Sequence, residues 1–263
     1  MLVCDVDGTL LDSLGRLSGR TAAAVATVVS SGVEVVLASG RILAGLAPLC
    51  IRLDLTSPQI AAHGALIATP AGDVVAAFPL SAEDVREHLA FARATGMTAI
   101  LGWADHLAAE GLTPEVIASF EPYDEPVPEV HPDLEAMADM APLRTTLCAG
   151  VEAYNAVLGS ARERFGDRYT MTTANERDLD LVHHDATKAS AAGSLAAALD
   201  IPMTEVAAIG DGPNDVALFH EVGLSAAMGN ASPEVRAEAS FVVPCCDEDG
   251  AAVAMERLFP DLF

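Results

Sequence analysis

Short apolar runs alternate with longer segments whose apolar positions recur at helical spacing, and this rhythm fills both ends of the chain. Residues 1–5 (MLVCD) read as a strand, 19–30 as a helix, 33–38 (VEVVLA) as a second strand and 42–53 as a second helix. Residues 59–68 (QIAAHGALIA) read as a third strand with a turn at Gly64, and Gly72–Asp73 as a hairpin turn. The alternation resumes at Lys188, with a helix over 188–199, a strand over 205–210, a helix over 213–222 and a strand over 224–228. A helix over 232–239, a strand over 241–244 and a last helix over about 249–259 complete it. Strands alternating with helices predict a parallel sheet of the α/β class.

Between about 80 and 178 the texture changes. Ser81 and Asp84 resemble a capping box, with Asp in place of the usual Glu or Gln, and a helix follows to about Thr95. Short strands are predicted around 97–102 and 106–109, then a strand over 143–149, a helix over 151–165 and two strands over 168–173 and 178–183. Residues 121–133 (EPYDEPVPEVHPD) are acidic and Pro-rich, the composition of a loop. This section reads as α+β. The predicted architecture is a doubly wound, Rossmann-like core built from residues 1–79 and 179–263, with an α+β domain inserted over 80–178.

Composition narrows the function. Mean hydropathy is +0.35, but its source is abundant alanine, and no apolar run approaches the roughly 20 residues that span a bilayer. Asp5 and Asp7 interrupt the first apolar segment, so a signal-type leader is not expected and a cytoplasmic location is. The formal net charge of −24 opposes binding to nucleic acid. That acidity suits either a salty interior or ordinary solubility. Five cysteines with no CxxC or Cys/His spacing are expected to be reduced thiols, mostly buried.

Three polar clusters each follow an apolar strand directly: Asp5-Val6-Asp7-Gly8-Thr9, Ser39-Gly40-Arg41 and Gly210-Asp211-Gly212-Pro213-Asn214-Asp215. Each alone would pass for a turn. In an open parallel sheet, however, ligands bind beyond the carboxyl ends of the strands, so the clusters are expected to meet along one edge. Four carboxylates (Asp5, Asp7, Asp211 and Asp215) would then crowd together, a conflict that a hard cation such as Mg²⁺ resolves. Asp5 is placed to attack phosphorus as a carboxylate nucleophile. Asp7, beyond the turn that Gly8 permits, suits a general acid and base. The Ser39 hydroxyl, the Gly40 amide and Lys188, the only lysine of the chain, are candidates to hold phosphoryl oxygens.

DVDGTLL near the N-terminus, ASGR after the second strand, the downstream Lys188 and GDGPNDVALF resemble the haloacid dehalogenase (HAD) superfamily. The α+β insert between the second and third motifs resembles the cap of its Cof-type phosphatases, as do Ala227-Met228-Gly229-Asn230-Ala231 and Glu248-Asp249-Gly250. The resemblance covers the core; the insert shares only position and size. It implies a nucleophile at Asp5, an acid/base at Asp7, and Mg²⁺ held by the Asp5 and Asp211 carboxylates and the Asp7 backbone carbonyl. It also implies that Asp215 supports the metal's waters or Lys188, and that Asn214 contacts Lys188 or the phosphate. Arg41 joins the candidates for phosphate binding. Two positions depart from the pattern: His63-Gly64-Ala65 stands where Asn-Gly-Ala is usual, and Ala189 follows the lysine in place of Gly. His63 is therefore a candidate contact to a substrate hydroxyl.

The expected activity is hydrolysis of a small phosphorylated metabolite, such as a sugar phosphate, through an aspartyl-phosphate. A phosphosugar mutase is opposed by the net acidic insert. A catalytically silent regulatory relative is opposed by the intact Asp5, Asp7, Lys188, Asp211 and Asp215. His183 and His184 are expected on opposite faces of a strand, Trp103 in packing, and Arg144, Arg168 and Arg177 in solvent.

Overall fold

The computed structural model describes residues 1–120, 125–173 and 177–263. Its first part runs β1 (Leu2–Asp5), α1 (Gly19–Ser30), β2 (Val35–Ala38), α2 (Leu43–Arg52), β3 (Gln59–Ala61), β4 (Leu66–Ala68) and β5 (Val74–Ala77). The middle adds α3 (Ala82–Thr95), β6 (Thr98–Gly102), β7 (Leu107–Ala109), α4 (Pro114–Phe120), β8 (Glu129–Val130) and β9 (Arg144–Cys148). It continues with α5 (Val151–Phe165), β10 (Tyr169–Thr172) and β11 (Asp178–His183). The last part is α6 (Lys188–Ala198), β12 (Ala207–Gly210), α7 (Val216–Glu221), β13 (Leu224–Ala227), α8 (Pro233–Glu238), β14 (Phe241–Val242) and α9 (Gly250–Leu258).

The outer thirds of the chain form one sheet in the order β14-β13-β12-β1-β2-β3-β4-β5. Its pairs are parallel from β14 to β3, and β4 and β5 extend it as an antiparallel hairpin. The two-residue period of a strand explains the two helical layers. Leu2 and Cys4, like Val35 and Leu37, enter a cluster with Val25, Val28 and Met255 of α1 and α9. Val3 and Val36 point the other way, into a cluster with Ala191 and Leu195 of α6 and Leu218 of α7. Every side chain of β1 is buried, as a strand covered on both faces requires.

The second sheet runs β10-β11-β9-β6-β7-β8 and is antiparallel except at β7–β8. On it pack α3 and α5, through Leu89, Phe91, Tyr154 and Phe165. The reciprocal bonds between Ser81 and Asp84 close the capping box at the start of α3, and Gly96 ends the helix in the left-handed region at φ 73°. Because β11 pairs with β9 and β10, the second sheet extends to His183. The return to the first sheet therefore falls after His183, not at 178–179. Apolar residues at alternate positions, Leu179 and Leu181, tie β11 to the core of the second sheet. Of the segment expected as loop, Glu129–Val130 forms β8, and residues 121–124 lie outside the described residues. Helix α4 falls where the apolar spacing predicts no element.

Candidate active site

β12, β1 and β2 are adjacent in the first sheet, so the clusters after them arrive at one edge. They form the floor of a cleft of about 830 Å³ whose other wall comes from β9, β10 and β11. Asp5, Asp7, Ser39, Gly40, Arg41, His63, Lys188, Asp211 and Asn214 all line it.

The floor centres on Lys188, buried at the first position of α6 behind the Thr187 cap. Its ammonium donates to Asp5 Oδ1 at 2.5 Å and to Asp215 Oδ1 at 2.7 Å. Burial opposes its charge, but the Asp215 and Asp5 carboxylates outweigh burial and raise its pKa. The second oxygen of Asp215 accepts from the backbone N–H groups of Asp211 and Gly212 at 3.1 and 3.0 Å. Asp211 accepts from the Thr9 hydroxyl and from the Asn230 amide, each at 3.0 Å. The same amide reaches the Gly8 carbonyl at 2.8 Å. Gly8 has φ 76°, and a Cβ there would stand 2.5 Å from Asp211 Oδ2; only glycine allows this approach without displacing the carboxylate.

Donor oxygens of Asp5, Asp211 and Asp215 lie within 4.8 Å of one another. Burial, then the charges of Asp5 and Asp215, push the Asp211 carboxyl up. Three carboxylates facing one ammonium leave an excess of negative charge, and every donor is a hard oxygen. This set fits a divalent cation of the Mg²⁺ type.

The expectation of four converging carboxylates needs correction. Asp7 stands outside the cluster, because Arg41 holds it: Nε donates to Asp7 Oδ2 at 2.9 Å and Nη2 to Oδ1 at 2.5 Å. Arg41 is itself buried, and its guanidinium is engaged by a carboxylate of the protein in a bidentate pair. The Ser39 hydroxyl accepts from the Arg41 N–H at 3.2 Å, so it helps to shape the loop that carries the clamp. Asn214 lines the cleft beside the Lys188 pocket.

The opposite wall holds an ion network that no sequence motif marks. Arg144 is buried, not solvated. It donates to the Gly40 carbonyl at 2.5 Å and to Glu125 Oε2 at 2.9 Å, and its Nε lies 3.6 Å from Asp180. Glu125 Oε1 accepts from the Ile42 N–H at 2.5 Å. The inserted domain thus grips the Ser39–Ile42 loop at two backbone points on either side of Arg41, through Arg144 of β9 and through Glu125. Asp180 also bonds the Thr146 hydroxyl at 2.5 Å and His63 Nε2 at 2.8 Å. Burial works against the Asp180 charge, yet Arg144 and these hydrogen bonds hold its pKa down at about 2. His63 sits at φ 58° against Gly40, where a Cβ would stand 2.4 Å from the imidazole Cε1. Its Nδ1 is buried with no hydrogen-bond partner among the described residues.

The remaining candidates separate cleanly. Trp103 packs in the second sheet's core and donates to the Met140 carbonyl at 2.9 Å. Arg168 is exposed and pairs with Glu87; Arg177 is also exposed. Cys4, Cys50 and Cys148 are buried free thiols, whereas Cys245 and Cys246 are half-buried. The Cys246 N–H donates to Asn230 at 2.9 Å and so buttresses Asp211 from behind. Asn230 follows an apolar strand, β13, as the other clusters follow theirs, and that position was the signal for it.

A profile of the haloacid dehalogenase-like hydrolases matches residues 2–255. The chain belongs to that family. A candidate phosphatase of Haemophilus influenzae is 27% identical over 98% of this chain and 97% of its own. The 5-amino-6-(5-phospho-D-ribitylamino)uracil phosphatase YwtE of Bacillus subtilis is 24% identical over 98% of this chain and 97% of its own. A haloacid dehalogenase-like hydrolase from Bacteroides thetaiotaomicron superposes with a TM-score of 0.89 at 25% identity, covering 98% of each chain. Within this family, the α+β insert between the second and third motifs makes the chain a Cof-type member. No helix among the described residues is long and apolar enough to cross a membrane.

Proposed function

We propose that the chain is a Mg²⁺-dependent phosphomonoesterase that hydrolyses a small phosphorylated metabolite through an aspartyl-phosphate on Asp5. The observation that carries this reading is the Asp5–Lys188–Asp215 triad, set beside Asp211 at the cleft floor. An Asp5 oxygen attacks phosphorus, and the bond from phosphorus to the leaving oxygen breaks. Asp7, aimed by Arg41, gives its proton to that oxygen. It then takes a proton from water as the water attacks phosphorus and frees the Asp5 carboxylate. Lys188 holds the Asp5 carboxylate in place through its hydrogen bond to Oδ1, and the Ser39–Gly40 segment faces the phosphoryl oxygens. Mg²⁺ would be held by the Asp5 and Asp211 carboxylates and the Asp7 carbonyl; there it supplies positive charge against the carboxylates and the phosphate.

The inserted domain acts as a cap that reads the leaving group. The cleft volume of 830 Å³ suits a small ligand, and the phosphoribityl compound in the name of the Bacillus subtilis relative is of that size class. Arg144, the buried cation of the wall, is already neutralised by Glu125 and Asp180, which disfavours a second phosphate grip of the kind a mutase needs.

Acid quench during turnover of a radiolabelled aryl phosphate tests the reading. Label should remain on a peptide containing Asp5, and turnover should stop with excess chelator. Full turnover without Mg²⁺, or label-free quenched protein under burst conditions, would sink it.

A further inference from the structure

Outside the cleft, one further group of metal-ligating side chains converges among the described residues. Donor atoms of His183, His184 and Asp185 lie within 4.8 Å of one another. Regular strand geometry would send the two histidines to opposite faces. The chain leaves β11 at His183, however, and turns over 184–185, so the imidazole rings lie 4.4 Å apart at 31°. The Asp185 carboxylate addresses both rings: one oxygen is 3.2 Å from His184 Nε2 and the other 3.8 Å from His183 Nδ1. Phe78, on the outgoing crossing, backs the His183 ring at 6.0 Å, and the Thr170 hydroxyl holds the His184 carbonyl at 3.0 Å. The cluster is reachable from solvent, with His184 and Asp185 each 61% exposed.

We propose that His183, His184 and Asp185 form a second divalent-cation site, selective for Zn²⁺ or a neighbouring transition ion. Two imidazoles and one carboxylate are the donor set of such borderline cations, whereas the all-oxygen cluster around Asp5 suits Mg²⁺. Water completes the coordination on the exposed side. The His183 Nδ1 lone pair accepts a long bond, 3.2 Å, from the Asp185 N–H. The cation takes that lone pair, and the amide turns to solvent. The ion ties the last residue of β11 to the turn that leads into α6 and Lys188, so it stiffens the return crossing between the two sheets.

The test is Zn²⁺ titration of the full chain in saturating Mg²⁺, against a chelating indicator dye. The wild type should bind one more Zn²⁺ than His183→Ala/His184→Ala. His184→Ala alone should weaken that site by roughly tenfold or more, about 1.4 kcal/mol. Paramagnetic resonance of Cu²⁺ on the wild type should carry nitrogen couplings that the double variant lacks. Equal Zn²⁺ stoichiometry and affinity in the wild type and the double variant would overturn the proposal.

Discussion

The floor and the far wall of the cleft are both buried and both charged, yet they are built to opposite ends. On the floor, Asp5 and Asp215 share one ammonium, Lys188, and with Asp211 beside them are left with excess negative charge. On the wall, Arg144 sits between Glu125 and Asp180, and most oxygens of those two acids have a donor. An unfinished electrostatic arrangement calls for a ligand, whereas a finished one holds structure. The floor therefore reads as chemistry and the wall as a fastening between two sheets. Removing a carboxylate from the floor should cost turnover and little stability; breaking the wall should cost stability first.

The largest effect tests the floor. Asp5→Asn should bring aryl phosphate turnover down to the buffer background, with a thermal midpoint equal to or above that of the wild type because one repulsive charge is gone. A folded variant that still turns over would erase the distinction, since water would then attack directly.

Arg144→Leu tests the wall. It strands Glu125 and Asp180 without their buried cation and should destabilise the protein by about 3–5 kcal/mol in urea unfolding. A loss under about 1 kcal/mol, the range of an exposed pair, would mean that the wall is not a fastening.

Arg41→Lys probes the loop where floor and wall meet. A point charge replaces the two-pronged hold on Asp7, so the acid/base loses its aim while substrate binding persists. The expected result is a fall in kcat of about 10- to 100-fold with KM nearly unchanged. A change confined to KM would return Arg41 to the role of phosphate contact.

The smallest effect separates the wall from the interior of its own domain. His88 lies under Phe165 and Tyr169, and burial lowers its pKa from 6.5 to about 4. The unfolded chain takes up a proton that the folded chain refuses until that lower value. Stability is thus full above pH 6.5 and falls as the pH drops toward 4, by about 2 kcal/mol between pH 7 and pH 5. His88→Gln should flatten this slope. Asp180, depressed to about 2, contributes above its unfolded value of 3.8, and that contribution is lost only as the pH falls from there toward 2. A slope between pH 7 and pH 5 that survives His88→Gln would assign it to another group.

The floor was legible in the sequence and the wall was not, for a physical reason. Asp5, Ser39 and Asp211 announce themselves because each breaks an apolar run at a strand end, and sheet topology turns three separate ends into one edge. The fold followed from the same alternation, down to the bounds of α1, α5 and β11. Arg144, Glu125 and Asp180 pair across elements with no fixed spacing between them. Asp180 alone carried a trace: in β11, Asp178 and Asp180 alternate with Leu179 and Leu181, the mark of a strand with one polar face. The bidentate hold of Arg41 on Asp7 joins residues 34 apart, a separation that no periodicity marks.

The chain has one lysine, and that lysine is 2% exposed beneath Asp5. The folded protein therefore offers lysine-directed reagents no exposed ε-amine. Slow covalent tagging at Lys188 becomes a single-atom clock for opening of the site, and saturating substrate or cation should slow that clock while leaving tagging of the unfolded chain unchanged.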